Sequence, residues 1–313
     1  MNRAEPTSSS GRIDINATVP NDFAHLSNEI IHDVVDSHEA ERRSIYNYEK
    51  LQKLGEIEGS WGDFARQLGA CTKQHHDCGR VVFRSRVFNR ATGNFCERNV
   101  SYAEIQNRFI CSSIIEDNFG LDLLMKVAPN LYDVITINSA PGTHCKALNL
   151  MGNRFTNIWW GGNNPKEAAT PELVTFLRRQ LQSKYLRKLT VLNVKIENGA
   201  FDEQMKVFVK RPSFEYLSMG AGSYPVPFQI FKEAHKNWRA PKAFEFKNRE
   251  IYAYASHLTV AQLEDYFDTQ FEFNGRASIP FIMKHPEHST AEMRLSIVDG
   301  SDYHRISINF SGR

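Results

Sequence analysis

Cysteine is scarce. Cys71, Cys78, Cys96, Cys111 and Cys145 are the five in 313 residues, an odd and widely spread set. Secreted disulfide scaffolds carry dense, even sets, so reduced thiols and a cytoplasmic or nuclear chain are expected. Long apolar runs are missing too. No segment approaches the ~20 apolar residues that span a bilayer, and Met1 to Gly11 is polar and serine-rich, unlike a signal peptide. No membrane partner is expected. An excess of one charge is also lacking: 38 Lys and Arg against 36 Asp and Glu leave +2. No block of Lys and Arg exceeds two or three residues, so no stripe that could track a phosphate backbone is visible, and nucleic acid is not an expected partner.

Catalytic phrases are equally absent. The chain has no Gly-x-Ser-x-Gly elbow, no His-Glu-x-x-His, no Asp-Phe-Gly, no phosphate loop ending in Lys-Ser/Thr and no three-glycine dinucleotide fingerprint. No enzyme activity, catalytic residue or cofactor is expected. Cys71-x3-His75-His76-x-Cys78 has metal-ligand residue types, but four ligands within eight residues rarely all reach one tetrahedral ion. It reads as a polar interdomain loop, and no metal is expected. His144-Cys145 sets an imidazole beside a thiol, but neighbours point apart on strands and helices, so a working dyad usually joins distant segments.

What is present is ample material for a core, 41% apolar and 12% aromatic. At roughly 150 residues per domain the length fits about two domains or one repeat-built body. Residues 1–20, with Pro6 and Ser8-Ser9-Ser10-Gly11, have little to bury and read as a mobile tail. From Phe23, Leu26, Ile30, Ile31, Val34 and Val35 recur at helical spacing, and Ser27 can cap that helix. A second helical stretch near Ala40 to Leu54 precedes Gly55 and Gly59, then Trp61, Phe64, Ala65 and Leu68. Residues 21–70 are therefore expected to form a helical domain.

After about residue 80 the texture becomes α/β, giving a second domain over 80–313. A phrase of two apolar residues three apart recurs at the entrance to each strand: Leu131/Val134, Phe155/Ile158, Leu186/Leu189, Phe214/Leu217 and Ala243/Phe246. Helices are expected at Leu173 to Tyr185, Phe201 to Val209, Phe228 to Trp238 and Leu258 to Phe271. Ala291 to Val298 and Tyr303 to Phe310 read as a closing β-hairpin around Asp299-Gly300-Ser301-Asp302. A leucine-rich-repeat-like arc ending in that hairpin is expected, the alternative being a compact α/β layer. Trp159-Trp160-Gly161-Gly162-Asn163-Asn164-Pro165 pairs large aromatics with a polar turn. Together with Tyr216, Trp159 and Trp160 are candidates for binding a target.

Phe23-x-x-Leu26-Ser27-Asn28-Glu29-Ile30-Ile31-x-Asp33-Val34-Val35 resembles the opening of an F-box, with Ser27 where a proline is usual, and Trp61 stands where the third F-box helix carries its tryptophan. The later half is similar in texture to the leucine-rich-like regions of nematode-type F-box-like families. The resemblance implies that Phe23, Leu26, Ile30, Ile31, Val34, Val35, Leu51, Leu54, Ile57 and Trp61 dock on a Skp-type adaptor of a cullin ubiquitin ligase. It implies further that the α/β body holds a protein target. The alternative is a stand-alone interaction or scaffold module with no ligase role, in which the first helices cap the repeat body.

Overall fold

The computed structural model describes residues 72–77, 80–89, 94–101, 110–117, 119–162, 167–220, 223–240, 248–255, 259–299 and 304–311. The chain divides between Gly69 and Ala70 into two units, and the described residues belong to the second. The ten adaptor candidates from Phe23 to Trp61 lie outside the described residues, as does the phrase at Ala243 and Phe246.

The second unit is a mixed α/β layer. Its strands are β1 Thr72–Asp77, β2 Arg80–Asn89, β3 Asn94–Val100, β4 Ile110–Glu116, β5 Leu131–Asn138, β6 Phe155–Gly161 and β7 Lys188–Leu192. They continue as β8 Tyr216–Met219, β9 Arg249–Ala255, β10 Phe273–Asn274, β11 Ala277–Ser278, β12 Phe281–Lys284, β13 Glu292–Asp299 and β14 His304–Phe310. All belong to one sheet in the order β10-β11-β13-β14-β9-β8-β7-β6-β5-β4-β1-β2-β3, with β12 beside β13. The run from β1 through β4 to β9 is parallel, and both its flanks are antiparallel.

Among the described residues there are six helices: α1 Leu121–Val127, α2 Cys145–Leu148, α3 Pro171–Gln182, α4 Asp202–Lys210, α5 Phe228–Trp238 and α6 Val260–Phe267. From β4 to β9 each strand lies beside its predecessor in the same direction. Crossovers of one hand then carry every intervening helix to the same face. α1 to α5 accordingly stand in a row, each against the next.

Two ladders of buried residues run across the covered face. One is Ser113, Ile135, Ile158, Leu189, Leu217, Ile251, Ile308 and Leu295, and the other is Ile115, Ile137, Trp160, Val191, Met219, Ala253, Ile306 and Ile297. Every member is removed from solvent. These ladders set the register, since a slip of one residue would turn the apolar set outward.

The first two recurring phrases stand at the starts of β5 and β6, and the next two begin two residues before β7 and β8. In the first, Ile135 and not Val134 faces Ile158. The cause is a register shift at Asp133, which takes a left-handed φ of 65° and accepts the Thr156 hydroxyl at 2.5 Å. Helix α5 has the bounds expected from spacing. α6 is shorter than expected because Asp268 turns left-handed at its C-cap. The closing hairpin is present as β13 and β14, and β14 pairs with β9 to end the parallel run.

Residues 72–77 are a strand and not a loop, ahead of the residue-80 start expected from texture. Their Thr-Lys-Gln-His-His-Asp sequence carries no apolar alternation, so only pairing with β2 and β4 reveals it.

The strand ends fit closely at two glycines. A β-carbon on Gly162 would stand 2.2 Å from the Asn193 carbonyl oxygen, and Gly162 N–H donates to Leu192 O at 2.9 Å. At Gly220 an added β-carbon would instead meet the Leu192 side chain, at 2.6 Å. Gly162→Ala is expected to destabilise the chain by about 1–3 kcal/mol, because backbone rather than a movable side chain must yield. A chemical-denaturation midpoint equal to wild type would refute this.

Candidate interaction surface

The sheet's other face is built differently. Strand alternation brings Ile114, Thr136, Trp159, Thr190, Ser218, Tyr252, Ser307 and Ser296 into one ladder. Beside it run Ser112, Val134, Asn157, Lys188, Tyr216, Glu250, Asn309 and Arg294. Apart from buried Ser218, these side chains are partly or fully exposed. Small hydroxyl and amide groups thus alternate with aromatics. That composition suits recognition of another protein, since rigid rings supply contact area and short polar groups supply adaptable hydrogen bonds.

Three features shape this face. Trp159 lies across Gly161, where an added β-carbon would meet the ring at 2.1 Å, so the glycine lets the indole lie flat. Tyr252 and Tyr254 pack edge to face at 6.4 Å, and the Arg305 guanidinium sits 5.6 Å from the Tyr252 ring. Burial pushes the Tyr252 phenol above its ordinary range, partly opposed by Arg305. Glu215 binds Lys188 at 3.3 Å and Arg187 at 3.8 Å, a partly exposed network of small energetic weight.

The three target-binding candidates separate here. Trp159 and Tyr216 lie on the open face, but Trp160 is 0% exposed. It is a core residue between Ile137 and Val191, and adjacent positions on a strand point to opposite faces. Tyr252, Tyr254 and Arg305 were not singled out from sequence. Their signal was the alternation Tyr-x-Tyr in β9, which sets two aromatics on the solvent side.

His144 and Cys145 form no catalytic pair. His144 is buried, its Nε2–H donates to Phe119 O at 3.1 Å, and its Nδ1 accepts from the Ser139 hydroxyl at 3.2 Å. Because a carbonyl can only accept, this tautomer is fixed and both ring nitrogens are occupied in tying loops together. Among the described residues no three His, Cys, Asp or Glu side chains group as metal ligands, and no helix is long and apolar enough to cross a membrane.

A second device runs along the helix ends. Arg179 donates to Leu148 O at 3.0 Å and Met151 O at 2.6 Å, at the end of α2. Arg211 donates to Leu181 O at 2.6 Å and to Ser183 O, at the end of α3. Arg249 donates to Pro212 O at 3.0 Å beyond α4, and His285 Nε2–H to Trp238 O at 2.9 Å at the end of α5. Helix C-termini leave carbonyls without partners and favour positive charge, so later segments of the chain close the ends of earlier helices. Burial lowers the affinity of all three guanidinium groups for their protons, that of Arg249 to about 10. His285 is buried against Trp238 with ring centroids 5.0 Å apart. Sequence did carry one sign of this device: Phe176-x-x-Arg179 recurs as Phe208-x-x-Arg211, and in both the guanidinium lies near the phenylalanine, at 5.9 and 5.8 Å.

No protein-family model matches this chain, no curated protein matches it, and no solved structure matches it.

Proposed function

We propose that this chain is an F-box-like substrate receptor. In this reading residues 21–70 dock on a Skp-type adaptor of a cullin ubiquitin ligase, and the open face of the sheet holds a protein target. The chain acts by bringing partners together and not by catalysis, in the cytoplasm or nucleus. The observation that carries the reading is the one-sided layer. Strands follow one another in sequence order, α1 to α5 line one face, and the other presents Trp159, Tyr216, Tyr252 and Tyr254. Leucine-rich-repeat-like arcs use a sheet face of this kind for binding.

The ends of the parallel run add support. β2 and β3 flank it on one side and β14 with β13 on the other, so the open face is built wholly within the second unit. An open face built within one unit also suits the second reading, a stand-alone interaction module without a ligase role.

The test is a pull-down of purified full chain with a Skp-type adaptor, using wild type, Ile31→Asp and Trp61→Ala, with circular dichroism to show that the variants are folded. Capture by wild type and at least tenfold weaker capture by folded Ile31→Asp is the expected result. Failure of the wild type to bind would overturn the receptor reading in favour of the stand-alone module.

A further inference from the structure

Helix α6 is the least embedded of the long helices. It has eight residues, begins with a Thr259–Gln262 capping box, and fully buries only Leu263 and Phe267. What holds it is an aromatic cluster centred on one histidine. His235 of α5 is 4% exposed, with Tyr266 5.6 Å and Phe267 5.2 Å away edge-on and Trp238 stacked at 6.0 Å. His235 Nδ1 and the Tyr266 hydroxyl are 3.0 Å apart. Its Nε2 has no hydrogen-bond partner among the described residues. Phe228 meets Tyr266 at 5.4 Å and Phe281 meets Phe267 at 5.8 Å, completing the floor beneath the helix.

This slot suits a neutral imidazole. A neutral ring exchanges one hydrogen bond with Tyr266 and leaves the other nitrogen as an apolar neighbour tolerates it, without a charge. A protonated ring carries two N–H donors, and the one at Nε2 faces no acceptor in a site closed to water. The charged groups around it do not relieve this. Arg239, at the C-cap of α5, opposes a second positive charge, and on α5 itself Lys232 Nζ lies 5.2 Å from the Tyr266 ring while Glu233 is engaged by Lys210 at 2.7 Å and by Gln229. From α6 the facing titratable group is the Tyr266 phenol, which burial pushes upward and keeps neutral. From the turn before β13, His285 meets Trp238 at 5.0 Å and His288 meets His285 at 4.8 Å, with His285 committed to Trp238 O. The surrounding rings attract a cation, but by less than removing an imidazolium from water costs.

The geometry points to α6 as an acid-releasable flap: neutral His235 holds it on α5, and protonation of that imidazole lifts it and uncovers the aromatic floor of Phe228 and Phe281. The sign follows from linkage. Burial, with a smaller contribution from Arg239, depresses the His235 imidazole to about 4 against an ordinary 6.5. The stabilisation of the closed state is therefore complete above pH 6.5 and is lost as the pH falls toward 4. Those two values give about a 20-fold shift toward the open state between pH 7 and pH 5.

The test is amide hydrogen exchange on the full chain, expressed as protection factors so that the intrinsic pH dependence of exchange is removed. Amides of Glu264 to Thr269 are expected to lose about 20-fold protection from pH 7 to pH 5, while those of β5 to β8 keep theirs. In the double variant His235→Leu, Tyr266→Phe, protection of α6 is expected to be independent of pH. Unchanged protection of wild-type α6, loss in step with β5 to β8, or the same acid loss in the folded variant would each overturn the flap. Should the variant not fold, proton NMR of the wild-type His235 ring decides: release must share the midpoint of its titration, and a different midpoint overturns the proposal.

Discussion

Trp160→Ala is expected to remove about 3–5 kcal/mol of stability, whereas Trp159→Ala, one residue earlier, is expected to cost about 1 kcal/mol and leave the fold intact. The two indoles have opposite environments. Trp160 stands in the middle of an eight-strand ladder and is wholly buried, so truncation leaves a void that neighbours in regular strands can fill only in part. A domain of this size is stable by about 5–15 kcal/mol, so this loss would take a large share of the total. Trp159 lies on Gly161 at the open face, and its removal mainly exposes a glycine. Trp160→Phe adds a finer test. The Trp160 Nε1–H is buried with no hydrogen-bond partner among the described residues, so phenylalanine discards an unpaired donor along with some area. Its cost is expected to stay below about 1.5 kcal/mol. Urea unfolding followed by circular dichroism gives all three values. Equal losses for the two alanine variants would contradict the assignment of one tryptophan to the core and the other to the surface.

The same pair shows how far the sequence could be read. Two adjacent tryptophans before a glycine announce a large aromatic investment, but which one faces outward depends on strand phase. The phase follows from Ile158 and Trp160 sharing the buried side, and that is settled by pairing with Ile135, Ile137, Leu189 and Val191. Helix α5 was legible because its buried positions, Ile230, Phe231, Ala234 and Trp238, keep a clean helical spacing. The closing hairpin was legible because Met293, Leu295 and Ile297 alternate with polar residues. β1 was not, since a six-residue strand without an apolar side chain gives no period to detect. Of the candidate surface, Trp159 and Tyr216 were visible as exposed aromatics near strands. Tyr252, Tyr254 and Arg305 come together from β9 and β14 across some fifty residues of chain, a juxtaposition that only the antiparallel register makes.

Arg211→Met is expected to cost about 2–4 kcal/mol although the residue lies near the surface and pairs with no carboxylate in the bonds described above. The methionine keeps the aliphatic contact with Phe208 and deletes the two guanidinium donors, so the change isolates the hydrogen bonds to Leu181 O and Ser183 O. Both of those residues are buried, and a carbonyl that loses a charged donor away from water forfeits about 1–3 kcal/mol. Arg211→Lys restores a charge at one point and cannot span two carbonyls with a fixed fork, so it should recover less than half of the loss. The location makes the effect more than local. Arg179, near the C-terminal end of α3, closes the end of α2, while Arg211 closes the end of α3, and Ser183 just beyond α3 reaches back to Asn153 O. Loosening the end of α3 should therefore weaken the hold on α2. The double variant Arg179→Met, Arg211→Met is expected to depart from additivity by at least 0.5 kcal/mol, as coupled neighbours do and distant sites do not. Strict additivity in urea unfolding would show that each cap acts alone. An unchanged midpoint for Arg211→Met would show that water serves those carbonyls as well as arginine does.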